Sequence, residues 1–226
     1  MKIFITGAAG FIGFSLAKKF LDNNHIVFGI DNIDGYYSKK LKKLRISILK
    51  KNKNFKFKKI DIRKYNQLKK FINNKNLDHI FHFAAQPGVR YSLINPQKYL
   101  NVNVKGFQNL LDSVRGKKIK SIIYASSSSV YGDQKKFPIN ENAILNAKNP
   151  YGLSKITNEQ TASIYSKILN LPIIGLRLFT VYGEWGRPDM FIIKLLNSIY
   201  KKKYFGLNNS GNHFRDFTYI KDIVNI

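Results

Sequence analysis

Short apolar runs of five to seven residues alternate along this chain with longer stretches in which apolar positions recur every three or four residues. Runs such as KIFIT at 2–6 and IVFGID at 26–31 are rich in β-branched and aromatic residues and too short for buried helices, so they predict strands. The same pattern predicts strands at 55–61, 79–84, 121–126 and 173–179. Helical spacing predicts helices near 11–23, 38–51, 65–74, 96–114 and 150–169. Within 38–51, Leu41, Leu44, Ile48 and Leu49 fall on one face and the lysines on the other, so the charge run reads as a solvated helix face. Pro150 suits a first helical position, where its missing N–H has no partner to lose. Strand and helix alternate throughout, without internal repeats, which predicts an α/β fold with a parallel sheet wound on both faces. The stretch KKNKNFKFKK at 50–59 alternates into a strand and is not a linker.

ITGAAGFIG sets Gly7, Gly10 and Gly13 directly after the first strand and at the start of the first helix. Glycine there allows a tight turn, close approach of backbone to a pyrophosphate, and close helix–strand packing, while the helix N-terminus offers N–H donors to the anion. A purely structural βα turn also uses glycine, so the spacing counts only in context. Asp31 supplies context: it ends the second strand, eighteen residues past Gly13. A carboxylate there accepts ribose hydroxyls and repels a 2′-phosphate, which favours NAD over NADP, the alternative being a cap or turn residue. Asp61 and Ile62, in KIDIR, are placed to offer an edge and a face to adenine, although a strand-end Asp is often only a cap.

Composition narrows the partners. A 44% hydrophobic chain of 226 residues buries a substantial core and is globular. The formal charge of +26 suggests a polyanion, but 32 of the 39 basic residues are lysines scattered over most surface segments. A base-reading face concentrates arginine forks, so no nucleic-acid partner is expected. The absence of Cys excludes disulfides and thiolate ligands, and His25, His79, His82 and His213 lack metal-ligand spacing. The N-terminal residues do not read as a targeting segment and nothing approaches a membrane span, so a cytoplasmic location is the default expectation.

The chemistry gathers around SSSSVYG and PYGLSK. Tyr151 and Lys155 stand four residues apart and share a helical face. A free Tyr titrates near ~10, too high for a neutral-pH base. A neighbouring ammonium and an oxidised nicotinamide ring would bring it down. A serine hydroxyl at the carboxyl edge of the sheet can hold the substrate oxygen that Tyr151 deprotonates. The Y-x-x-x-K pair alone is common on helices and gains meaning only with the glycine turn, Asp31 and the serines.

Eight segments, TGAAGFIG, DNIDGYYS, HFAAQPGVRYS, NVNVKG, YASSSSVYG, PYGLSK, LRLFTVYGEWGRPDM and RDFTYIKDI, together resemble the extended short-chain dehydrogenase/reductases. Within them the chain is most similar to the nucleotide-sugar 4-epimerases acting on UDP-glucuronate, and the resemblance covers its whole length. It implies a Rossmann-type NAD-binding domain at 1–178 and the start of a substrate-binding domain at 179–226, with a segment returning to the first. Family members run on beyond this point, so a truncated chain is expected. The implied cofactor set is the three glycines with Phe11 and Ile12, Asp31 with Asn32, Asp61 with Ile62, and Ala84, Ala85, Gln86 and Asn103. The implied catalytic set is Ser127, Tyr151 as base and Lys155, which also bridges the nicotinamide ribose.

For the UDP-sugar the resemblance implies Ser127, Ser128, Arg90, Thr180, Arg187 and Arg215. Sugar dehydratases and decarboxylases of this kind carry acidic residues just before VYG, where this chain has Ser128 and Ser129. Without that acid, inversion at carbon 4 through a transient 4-keto sugar is favoured. Arg187 and Thr180 are expected to pin the sugar carboxylate. Lys221 departs from the acidic residue common in the family's motif. A homodimer through 96–114 and 150–169 is also implied. Two alternatives remain: another UDP-sugar as substrate, and a non-catalytic NAD-binding protein.

Overall fold

A computed structural model describes residues 1–212 and 214–225. Six strands, β1 (Lys2–Thr6), β2 (Ile26–Asp31), β3 (Phe55–Lys59), β4 (His79–His82), β5 (Ser121–Ala125) and β6 (Ile173–Leu176), form one parallel sheet in the order β3-β2-β1-β4-β5-β6. Chain direction across the sheet reverses between β1 and β4, so the loops leaving those strands diverge and open a crevice at their carboxyl ends. Thr6 at the end of β1 sits in register with Ile30 of β2 and His82 of β4.

Alternation along the strands divides the core in two. Ile3, Ile5 and Val27 pack beneath Phe14 of α1 (Phe11–Asp22) and Ile46 and Leu49 of α2 (Lys39–Lys50). Phe4, Ile30 and Ile80 pack on the other face with α3 (Tyr65–Asn73). After β4 come two short helices, α4 (Val89–Ile94) and α5 (Pro96–Tyr99), followed by a π-helical segment at Leu100–Lys105 that runs into α6 (Gly106–Ser113). Phe107 and Leu110 of α6, with Ala162 and Tyr165 of α7 (Pro150–Leu169), complete the second cluster. The Asn149 side chain caps α7 by accepting from Gly152 N at 2.9 Å, with Pro150 in the first turn as expected. Beyond β6, β7 (Thr180–Tyr182) pairs in parallel with β8 (Phe217–Tyr219), and α8 (Phe191–Tyr200) lies between them in sequence. The last helix, α9 (Ile220–Asn225), buries Ile220 and Ile223 against Phe11 and Val181.

Several expectations are corrected. The strands predicted to run to 61, 84, 126 and 179 end at Lys59, His82, Ala125 and Leu176, because the chain leaves the ladder to enter the crevice. The helix predicted at 96–114 is interrupted by its π-helical turn. Most consequential is α2, which buries Lys42, Arg45, Ile46 and Leu49 while Leu44 is exposed. Its inner face therefore keeps Leu49 but takes Lys42 and Arg45 in place of Leu44, because the helix covers the glycine turn and the loop after β2, where main-chain carbonyls accept from the cations. Among the described residues no helix is long and apolar enough to cross a membrane, and no His, Cys, Asp and Glu cluster could hold a metal. His213 lies outside the described residues.

A Cβ at Gly13 would stand 2.3 Å from the Gly7 carbonyl oxygen. Gly13→Ala is therefore expected to cost about 2 kcal/mol in urea unfolding, the scale of an overpacked core.

Candidate active site

Gly7 has φ +74°, a conformation that favours glycine, and a Cβ there would meet Ala84 N at 2.6 Å. The turn after β1 is thus pressed against the chain leaving β4, and together they floor the crevice. Gly7, Gly10, Phe11, Ile12 and Gly13 line one side, and Ala84, Ala85 and Gln86 continue the wall. The Asp31 carboxylate accepts from Ala9 N at 3.1 Å and Ile33 N at 2.7 Å and still faces the crevice. Burial pushes its pKa up, while those amides and the charges of Lys42 and Arg45 oppose the rise. Asn32 lines the crevice and donates to Asp61 at 3.1 Å.

Asp61 is held by its neighbours at the crevice edge. Burial works to raise it, but the Arg63 fork and Asn32 prevail and hold it near a pKa of about 2. Its carboxylate is outside the crevice lining, whereas Ile62 and Arg63 form part of that lining. Asn103 is 1% exposed and lies behind the wall. It accepts from Gln86 N at 2.7 Å, donates to Gln86 O at 3.2 Å and donates to Ser154 Oγ at 3.0 Å, so it fixes the 84–86 segment from the rear.

Tyr151 and Lys155 emerge from α7 beside the end of β5, with Ser126 and Ser127. Ser127 lines the crevice beside Tyr151, and its hydroxyl oxygen accepts from Ser129 N at 3.2 Å. Lys155 donates to Ala125 O at 2.7 Å and its Nζ lies 5.9 Å from the Tyr151 ring centroid. Burial raises the phenol pKa, against the opposing pull of Ser127 and Arg187. The expected lowering by Lys155 is thus not a property of the chain alone, since that ammonium sits under the ring and is bound to a carbonyl. Behind the pair, Glu159 accepts from Ser126 Oγ and forms a two-point ion pair with Arg177 at 2.8 and 3.0 Å. The Tyr99 ring meets Tyr151 edge-on at 6.0 Å.

Arg187 lines the same crevice. Its Nε and Nη2 are held by Asp189, so the side-on edge of the expected fork is taken and the end-on edge, Nη1 and Nη2, remains. Thr180 is not in the crevice lining. It lines a small adjoining cavity that also includes Arg187, and its N–H donates to Asp216 O. Ser128, Arg90 and Arg215 also lie outside the crevice lining, and the two arginines are exposed. Sequence reasoning missed Asp189, Glu159, Arg177, Tyr36, Tyr37 and the buried cations of α2. Spacing hinted at one of them: Glu159 follows Lys155 by one helical turn.

A crevice at the switch point of a parallel sheet, floored by a glycine turn and carrying a Ser, a Tyr and a Lys, defines a dinucleotide-dependent enzyme of sugar or alcohol chemistry. Comparison makes the class specific. The NAD dependent epimerase/dehydratase family matches residues 3–226, and the chain belongs to that family. The Staphylococcus aureus protein named Protein CapI is 46% identical over 99% of this chain, which spans 67% of that relative. A UDP-glucuronate 4-epimerase of Thermodesulfobacterium geofontis is 38% identical over 97% of the chain and 68% of its own length. The crystal structure of the Bacillus cereus UDP-glucuronic acid 4-epimerase, in complex with UDP-glucuronic acid and NAD, superposes with a TM-score of 0.93 at 37% identity, covering 99% of this chain and 71% of that one.

Burial lowers the Lys155 pKa to about 8, against the attraction of Glu159. The unfolded chain, with the group at 10.5, binds the extra proton between those values, so stability from this group rises with pH over that window and its penalty is complete below it. The stability of the protein minus that of Lys155→Met should rise by up to about 3 kcal/mol across the window in denaturant titrations, and a flat difference would contradict the burial argument.

Proposed function

We propose that this chain inverts carbon 4 of a UDP-sugar with NAD in the crevice, converting UDP-glucuronate to UDP-galacturonate. One observation carries the reading: Ser127, Tyr151 and Lys155 meet on one side of a crevice that also presents a partly buried arginine, Arg187. The relatives named for that reaction support it.

The residues fit the cofactor. A Cβ would fill the cradle at Gly7 and Gly13, and Asp31 faces the crevice with lone pairs to spare for ribose hydroxyls. Bound NAD supplies a hydride acceptor that returns the hydride to the same carbon. Tyr151 takes the proton of the 4-hydroxyl and Ser127 holds that oxygen. Lys155, itself buried, holds positive charge beneath the phenol. Inversion then requires the 4-keto sugar to turn and present its other face.

The 4-keto uronate is a β-keto acid, which loses carbon dioxide when its carboxyl bond lies parallel to the carbonyl π system. The end-on edge of Arg187, oriented by Asp189, is suited to hold the carboxylate out of that alignment. A sugar carboxylate can use the free end-on donors of Arg187 as a two-point acceptor, whereas a neutral sugar offers only hydroxyls to them. Residues 179–226 read as part of the sugar-contacting region and 1–178 as the cofactor-binding part. Exposed Leu153, Ile164 and Ile168 on α7 favour a homodimer, in a cytoplasmic setting.

Incubation with UDP-glucuronate and NAD should yield UDP-galacturonate by proton NMR, and Tyr151→Phe should slow this by about 10²–10⁴ fold. Absence of that product, with another UDP-sugar inverted instead, would replace the substrate assignment. Arg187→Ala should release a pentose product and carbon dioxide beside the epimer. Normal epimerisation without pentose would remove Arg187 from the carboxylate.

A further inference from the structure

Arg45 is wholly buried, yet among the described residues no carboxylate lies within hydrogen-bond distance of it. Its fork reaches two sides of the crevice at once. Nη1 donates to Ala9 O, inside the glycine turn, at 2.9 Å and to Tyr37 Oη at 2.8 Å. Nη2 donates to the carbonyls of Trp185 and Gly186, which immediately precede Arg187. Nε is buried without a partner. The segment it grips is conformationally costly: Trp185 adopts φ +63° and Gly183 φ +137°. A bulky residue stays left-handed only where surrounding contacts over-determine it. Here those contacts are the Arg45 bond, the Gly186 N–H on Gly183 O at 3.1 Å, and the Trp185 ring edge-on to Phe14 at 5.4 Å.

We propose that Arg45 is a positioning residue that locks the Trp185–Gly186 turn to the glycine turn, so that ordering of the dinucleotide side of the crevice is transmitted to the backbone that aims Arg187. An arginine suits this because its planar fork bonds carbonyls in two directions, whereas an ammonium supplies the same charge from a single point. The bridge rests on the proposed function only where Arg187 meets a carboxylate. Its mechanical part stands without it.

Trp185 is the only tryptophan of the chain, so its fluorescence reads the turn directly. Acrylamide quenching is measured with and without NAD for the protein, Arg45→Lys and Tyr37→Phe. Addition of NAD should reduce quenching severalfold in the unaltered protein. In Arg45→Lys, which keeps a cation near Asp31, NAD should still bind by calorimetry but leave quenching unchanged. Tyr37→Phe, which removes one acceptor and preserves the fork, should give an intermediate response and decides the matter if the lysine variant does not fold. Equal protection by NAD in all three proteins, or no change in the unaltered one, would overturn the bridge. With UDP-glucuronate, Arg45→Lys should raise KM about tenfold and release pentose, and combining it with Arg187→Ala should add little to Arg187→Ala alone, as expected for one coupled unit. Failure of the unaltered protein to turn over UDP-glucuronate would remove the substrate assignment and leave the fluorescence result to judge Arg45.

Discussion

Lys155 keeps its ammonium 3% exposed, 2.7 Å from the Ala125 carbonyl, with Glu159 one turn further along α7. An ammonium in such a place resists its own charge, and its pKa falls accordingly. The neighbouring phenol is held up by the same dryness. The two groups are therefore pushed apart, the phenol up and the ammonium down, so burial favours the neutral form of both and the phenolate needs positive charge beyond what the chain supplies. Lys155 on Ala125 and Glu159 on Ser126 also grip two successive residues at the end of β5, which fixes where the next residue, Ser127, presents its hydroxyl.

The crevice imposes the second constraint. Parallel strands diverging at the switch point create space, but only glycine lets the β1 turn lie against the chain leaving β4. Closeness there leaves main-chain carbonyls, such as Ala9 O, facing inward beneath α2. A buried carbonyl requires a donor, and α2 supplies one from a position that a leucine stripe would have taken. Arg45 thus fills an unmet backbone requirement and reaches the turn before Arg187 with the other end of the same fork. Stability of the cofactor turn and placement of the second crevice wall share one side chain.

Much of this was legible in the residues. The alternation of short β-rich runs with helical spacing dictated a parallel sheet, because a strand buried on both faces has few other ways to satisfy its backbone. The glycine spacing, the carboxylate at the end of β2 and the Tyr–Lys pair at one helical turn are local patterns, each enforced by geometry within a few residues, and all reappear in the crevice. What the sequence could not convey is which polar groups are spent on one another. Asp61 is taken by Arg63, the side-on edge of Arg187 by Asp189, and Lys155 by a carbonyl thirty residues away. Lys42 looked like part of a solvated stripe, yet it and Arg45 lie inward, donating to main-chain carbonyls and packing on Tyr37. Local chemistry is set by nearest neighbours along the chain and so survives in the sequence, whereas the pairing of charges and carbonyls is decided by burial, which only the folded arrangement of distant segments creates.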